Sequence, residues 1–246
     1  MKAREIFRRM LITRKCLICD DVIDYDRENP ICDDCEEIWD EYLEVRCNRC
    51  GGDRHTCSCL PILVKKHFNV ASWGVFYNKG DKEGANYIII KLKYWRYREA
   101  IKHCTRIMKN MLLEVCKKHN INYREFAVTY APRRKNSIKR YWFDHAKEMA
   151  KYLAKDLGID FVDALENIGE KEQKRLSAIE RRRNAQESYV LKDKFENKHK
   201  KYFLIDDLMT TGSTLVYCSR LLYNVGATEV IPVTYAKDNY INKGDY

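Results

Sequence analysis

Two neighbouring carboxylates followed by a loop of small hydroxyl residues are the strongest chemical signal in this chain. The apolar segment Tyr202–Ile205 predicts a short buried strand, with Asp206 and Asp207 at its C-terminal end. The loop that follows has five small residues, Thr210, Thr211, Gly212, Ser213 and Thr214. Open parallel sheets bind ligands outside the carboxyl ends of their strands. Hydroxyls, backbone N–H groups and a helix start can hold a phosphate there, and carboxylates suit sugar hydroxyls or Mg2+. A plain helix cap after an ordinary turn is the alternative.

Eight of the eleven cysteines lie within residues 16–59, in closely spaced pairs. The pairs are Cys16/Cys19, Cys32/Cys35, Cys47/Cys50 and Cys57/Cys59. Such spacing lets two thiolates of one tight turn reach the same metal. Because disulfides do not persist in the cytosol, the pattern favours zinc. A closed shell of four thiolates leaves no position for substrate, so the predicted role of Zn2+ is structural.

The pairing of the cysteine ligands stays open at this stage. The simplest arrangement places the first four cysteines around one ion and the last four around another. An interleaved pairing, or one occupied site beside a degenerate one, fits the spacing equally. His55 lies between the last two pairs and could replace one cysteine.

Charge divides the chain into two parts. Residues 1–60 hold ten Lys/Arg and fourteen Asp/Glu, whereas residues 61–246 hold 36 and 22. We therefore expect a cysteine-rich head over residues 1–66 and a basic domain over residues 67–246. The basic domain suits polyanions such as nucleotides or nucleic acid. The sequence has no apolar run of transmembrane length and no apolar signal core, so we expect a cytoplasmic protein without a membrane span.

Strands and helices alternate in the basic domain, which predicts an α/β fold with a mostly parallel sheet. The predicted strands are Val70 to Phe76, Phe126 to Tyr130, Ile159 to Val162, Tyr202 to Ile205 and Glu229 to Tyr235. The predicted helices are Tyr87 to Leu92, Ala100 to Lys118, His145 to Leu157 and one that follows Thr214.

Three basic clusters punctuate the domain. The first (residues 91–106) and the second (residues 133–143) mix Lys and Arg with aromatic residues, and the third falls within residues 171–183. Aromatic residues among cations are typical of grooves that bind single-stranded nucleic acid. A solvated helix face with inward aromatics explains the first cluster equally well. The third lies in a long polar connection, which favours a lid.

The segment 202–214 resembles the phosphoribosyl-pyrophosphate (PRPP) motif of type I phosphoribosyltransferases. The resemblance implies that Asp206 and Asp207 hold the ribose hydroxyls and that residues 210–214 hold the 5′-phosphate, with Mg2+ bound alongside PRPP. A loop after an earlier strand holds the pyrophosphate in that family. Here that loop contains Arg133 and Arg134, which would stabilise the leaving group.

The whole arrangement is similar to the ComF competence-protein family. The cysteine-rich head, Lys91-Leu92-Lys93-Tyr94 and a stretch from Gln173 to Asn184 carry this resemblance. It implies a double zinc ribbon before a phosphoribosyltransferase-like domain, and a role in DNA uptake. The chain departs from the family at Trp142, Asp144 and His145, where the family has Gly, Asn and Gln. His145 is either a proton shuttle or, more simply, a hydrogen-bonded residue at a helix start.

Two function classes follow. One is a phosphoribosyltransferase that uses Mg2+–PRPP and an acceptor that the sequence does not identify. The other is a non-catalytic adaptor that binds single-stranded DNA, with PRPP or a nucleotide as regulator. In the second class the zinc head would dock a protein of the DNA-uptake machinery.

Overall fold

A computed structural model describes residues 13–24, 26–78, 80, 84–94, 98–134, 143–169 and 188–239. Its strands are β1 (Arg14–Lys15), β2 (Val22–Ile23), β3 (Ser72–Tyr77), β4 (Phe126–Tyr130), β5 (Leu165–Asn167), β6 (Tyr189–Leu191), β7 (Lys201–Met209) and β8 (Glu229–Asp238). Its α-helices are α1 (Asp33–Leu43), α2 (Ile62–His67), α3 (Gly84–Tyr94), α4 (Arg98–Lys118), α5 (His145–Leu157) and α6 (Ser213–Asn224). None of the helices in these ranges is long and apolar enough to cross a membrane.

Four parallel strands form the central sheet, in the order β3-β8-β7-β4. All four therefore end at the same edge. Side chains alternate across the sheet, as strand geometry requires. Phe203 and Ile205 of β7 pack with α4 and α5 on one face, whereas Tyr202 and Leu204 pack with α2 and α6 on the other. The α/β class and the parallel sheet predicted from the sequence are confirmed.

Two of the predicted strands differ from the structure. Residues 159–162 form only one bridge, between Phe161 and Val128, so the strand predicted there is wrong. Strand β7 runs on past Ile205 to Met209, because β8 continues to pair with it there. The acid pair consequently belongs to the strand itself. A further antiparallel pair, β5 with β6, lies outside the main sheet.

The cysteine-rich head packs against the sheet domain. Leu17 and Trp39 of the head share one buried cluster with apolar residues of α3 and α4. On the other side, Val64 of α2 is fully buried among residues that include Leu215 of α6. Residues before position 67 therefore make buried contacts with both faces of the sheet. The domain boundary after residue 66 stays a prediction.

Candidate functional site

The acid pair lies where β7 extends beyond its neighbour β4. Tyr130, the last residue of β4, pairs with Ile205. Asp206 is the next residue of β7 and lies opposite Thr234 of β8. Both acids are half-buried, and Asp206 Oδ1 accepts a hydrogen bond from the Asp207 backbone N–H at 2.9 Å. The carboxylates thus stand at the carboxyl edge of the sheet, where the sequence predicted them.

A buried histidine holds Asp207. His145 is the first residue of α5 and is 1% exposed, and its Nε2 lies 2.9 Å from Asp207 Oδ2. Its Nδ1 is buried and has no hydrogen-bond partner within the described part of the chain. An unpartnered acceptor costs less than an unpartnered donor, which favours the tautomer that carries its proton on Nε2. His145 is therefore a hydrogen-bonded helix-start residue that also contacts the acid pair. Its role as a proton shuttle stays a prediction.

Replacing His145 should lower the stability of the protein. In His145→Leu the half-buried Asp207 carboxylate loses the hydrogen bond from Nε2, so we expect the free energy of unfolding to fall by about 2 kcal/mol. His145→Gln retains an amide donor and should lose less. Urea unfolding of the three proteins measures the difference. Equal stability of the Leu and Gln variants would show that the hydrogen bond contributes nothing.

The small-residue loop lies at the surface. Thr210 and Thr211 are exposed, and Ser213 and Thr214 are half-buried at the start of α6. Thr211 Oγ1 lies 3.0 Å from Ser213 Oγ and accepts from the Ser213 backbone N–H at 3.4 Å. Hydroxyls and the first N–H groups of a twelve-residue helix thus occupy one surface, which is the chemistry that binds phosphate.

Gly212 forces the sharp entry into α6. It is the N-cap residue and has φ 75°, in the left-handed region. A Cβ placed on it would lie 2.0 Å from Val64 Cγ2 of α2. The loop therefore needs glycine for two reasons, its backbone conformation and its contact with the buried Val64.

Gly212→Ala should destabilise the protein by about 3 kcal/mol. The left-handed conformation costs an alanine roughly 1 kcal/mol, and the overlap with Val64 adds about 2 kcal/mol. Gly158→Ala is the matched control, because Gly158 has φ 66° and nothing within 4 Å of an added Cβ. It should cost roughly 1 kcal/mol in urea unfolding. Equal losses of stability in the two variants would show that the overlap with Val64 adds nothing to the cost of Gly212→Ala.

The basic loop after β4 is tied to the start of α5. Asp144 caps that helix, with Oδ1 accepting from the Lys147 backbone N–H at 3.3 Å. Its Oδ2 accepts from the Arg133 backbone N–H at 2.9 Å. Burial raises the pKa of Asp144, although these two hydrogen bonds oppose the shift. One residue thus fixes both the Arg133–Arg134 loop and the helix that presents His145 to Asp207.

Tyr189 is a site residue that the sequence analysis missed. Burial raises the pKa of its hydroxyl, the charge of Asp206 acts in the same direction, and the charge of Arg134 opposes the shift. This residue of β6 therefore lies near both the acid pair and the basic loop. The sequence carried no signal for it, because Tyr189 follows a polar connection and belongs to a strand of only three residues.

Part of the basic domain matches a known protein family. Residues 144–242 match the family described as "Phosphoribosyl transferase domain". The basic domain has the type I phosphoribosyltransferase fold. The matched region includes both acids, the small-residue loop and His145, but not the loop with Arg133 and Arg134.

Several solved structures are similar to this phosphoribosyltransferase fold. One is the allosteric regulatory enzyme of purine biosynthesis, with 17% identity, 59% of this chain and 29% of that chain covered, and a TM-score of 0.36. A second is a hypoxanthine phosphoribosyltransferase from Staphylococcus aureus (14% identity, 56% and 73% covered, TM-score 0.35). A third is the adenine phosphoribosyltransferase from Leishmania tarentolae (13% identity, 71% and 85% covered, TM-score 0.35). None of the curated protein sequences matches this chain.

The cysteine-rich head carries two groups of four cysteines. One group is Cys16, Cys19, Cys32 and Cys35, and the other is Cys47, Cys50, Cys57 and Cys59. All sulfur atoms of a group lie within 4.8 Å of one another, and tetrahedral zinc with bonds of about 2.3 Å requires sulfurs about 3.8 Å apart. Both groups could bind zinc, and their membership is that of the simplest sequence pairing. His55 lies outside them and instead contacts Glu114 at 2.7 Å.

The local environment of the thiols also suits metal binding. Burial works against ionisation of Cys16 and Cys47, yet backbone N–H groups of their own turns lower the pKa of each thiol to about 7. In the same groups, burial raises the pKa of Cys19 to about 11 and that of Cys59 to about 12. Protons and a dication compete for such crowded sulfurs, and a bound Zn2+ deprotonates its thiol ligands.

Two cations of the first basic cluster contact the head. Lys91 is buried, and its Nζ donates to Asp20 Oδ1 in the head at 2.7 Å. Arg106 donates to Asn29 Oδ1 at 3.0 Å. Binding of nucleic acid by this cluster stays a prediction. The third cluster lies outside the described residues, and of the second cluster the structure describes Arg133, Arg134 and Phe143.

Proposed function

We propose that this protein binds Mg2+–PRPP at the carboxyl ends of β4 and β7 and transfers its phosphoribosyl group to an acceptor. The observation that carries the proposal is the grouping of three features at one edge of the sheet. Half-buried Asp206 and Asp207 lie beside an exposed hydroxyl loop at a helix start. Asp144 and His145 then connect this pair to the loop of Arg133 and Arg134.

Each feature has a role in the proposed reaction. Asp206 and Asp207 accept hydrogen bonds from the ribose hydroxyls, and residues 210–214 donate to the 5′-phosphate. The bond from C1′ to the pyrophosphate oxygen breaks with its electron pair on the leaving group, and the acceptor forms the new bond to C1′. Arg133 and Arg134 stabilise the negative charge that develops on the pyrophosphate. Mg2+ would enter with PRPP and neutralise part of that charge.

Calorimetric titration with Mg2+–PRPP tests the binding step. We expect saturable binding of one PRPP per chain that depends on Mg2+. Release of pyrophosphate in the presence of a panel of bases and amines then tests transfer. Absence of PRPP binding overturns the proposal, whereas binding without release for any acceptor favours a regulatory role for PRPP.

We also propose that each cysteine group holds one structural Zn2+. A four-thiolate shell is closed to substrate, and the small head needs the free energy of metal binding in order to fold. The sulfur separations and the N–H donors around Cys16 and Cys47 support this assignment.

A second candidate function is the adaptor role implied by the resemblance to ComF proteins. In that role the protein binds single-stranded DNA in the cytoplasm, and its zinc head docks a partner of the DNA-uptake machinery. The charge of residues 61–246, with 36 basic and 22 acidic residues, favours a polyanionic partner. This role is compatible with PRPP binding, since the two ligands need different surfaces.

A further inference from the structure

A large cationic cleft is lined by residues of the head and of helices α4 and α5. Its volume is about 940 Å³. Seven of its lining residues are basic and three are acidic. Lys15 and Arg27 line it from the head, Lys102, Arg106 and Lys109 from α4, and Lys155 from α5.

One of the three acidic residues at the cleft is already neutralised. Glu99 contacts Arg14 at 3.2 Å and Lys102 at 3.1 Å, so that this carboxylate holds two cations in place. Among the described residues, no ion pair involves Lys15, Lys109 or Lys155. The cleft therefore presents a net positive surface whose cations come from three separate elements.

The spacing of these cations fits a row of charges better than a single anion. Lys102, Arg106 and Lys109 lie four and three residues apart on α4, so they share one helix face at intervals of about 5–6 Å. The row spans roughly 10 Å along the helix. Lys15 faces it from the head side of the cleft. Arg27 also lies on that side, where Asp33 and Glu36 hold its guanidinium at 2.5 Å and 2.7 Å. A lone phosphate would engage only one end of this arrangement.

We propose that this cleft binds a linear chain of phosphates, such as the backbone of a single-stranded nucleic acid. The cleft is distinct from the proposed PRPP site. Lys155 lies ten residues after His145 on α5, so the two sites are about 15 Å apart along that helix. Lys102 and Arg106 also belong to the first basic cluster, whereas Lys15, Lys109 and Lys155 lie outside the three clusters. The proposal rests on the second candidate function and does not depend on PRPP binding.

The test compares two triple variants that remove the same charge. Lys15→Gln/Lys109→Gln/Lys155→Gln removes three cleft cations that have no ion pair. Lys117→Gln/Lys194→Gln/Lys198→Gln removes three exposed lysines elsewhere. Fluorescence anisotropy of a labelled oligothymidylate measures affinity over a range of salt concentrations. We expect the cleft variant to bind at least about tenfold more weakly, with a salt slope smaller by about 2.

The control variant should stay within about twofold of the wild type. Equal losses in both variants would show diffuse attraction and overturn the cleft assignment, as would a wild type that binds no oligonucleotide. Competition distinguishes a chain of phosphates from a single triphosphate. Unlabelled oligothymidylate or inorganic polyphosphate should displace the probe at concentrations at least about tenfold below those of ATP, and equal potency of ATP would overturn the chain geometry. We expect the cleft variant to bind Mg2+–PRPP like the wild type. A failure of the cleft proposal can therefore be told apart from a failure of the proposed PRPP site.

Discussion

Asp206→Asn/Asp207→Asn should weaken the binding of Mg2+–PRPP by at least about 100-fold. Each carboxylate is proposed to accept from a ribose hydroxyl, and a hydrogen bond to a charged group contributes about 1.5–3 kcal/mol. Two such losses exceed 2.8 kcal/mol, or roughly two powers of ten in affinity. Calorimetric titration of the variant beside the wild type measures the change.

Asparagine is the right replacement because it preserves the local structure. The amide oxygen at position 206 can still accept from the backbone N–H of residue 207, and the one at position 207 can still accept from His145 Nε2. Asp34→Asn/Asp40→Asn changes the same net charge on the exposed face of α1 and should bind PRPP like the wild type. A double variant with wild-type affinity would refute the ribose assignment of the acid pair.

The sequence was sufficient to predict the features that depend on local order. Tyr202–Ile205 reads as a buried strand because four apolar residues precede two acids, and the structure confirms it. The cysteine pairs follow from tight turns, each of which places two sulfurs near each other, whereas the grouping of the pairs into fours stayed open. The parallel sheet follows from the alternation of strands with helices. In each case neighbouring residues determine the structure.

The features that sequence reasoning missed depend on residues far apart in the chain. The 2.9 Å contact between His145 and Asp207 joins residues 62 positions apart, and nothing near either residue indicates it. The same holds for Tyr189 and its proximity to Asp206. The extra residues of β7 beyond Ile205 depend on pairing with β8. Lys91 seemed a surface cation, yet the head supplies Asp20 as its buried partner. Tertiary packing decided all four.

Loss of the second cysteine group should damage the sheet domain more than loss of the first. We expect two Zn2+ per wild-type chain by elemental analysis, and one in either Cys16→Ala/Cys35→Ala or Cys47→Ala/Cys57→Ala. An interleaved pairing would instead remove both ions in either variant. Each pair consists of two buried cysteines, so the cavities created are comparable.

The asymmetry comes from Lys237 of β8, which is 2% exposed and lies opposite Met209 in the sheet. Its Nζ donates to Cys57 Sγ at 3.2 Å and to the Cys59 carbonyl at 2.7 Å. Removing the thiolate leaves a buried ammonium with one partner fewer, a change that costs about 3 kcal/mol. Urea unfolding should show the second variant less stable by that amount, and Lys237→Met in that background should restore most of it. Equal stability of the two variants would mean that the thiolate does not stabilise the buried lysine.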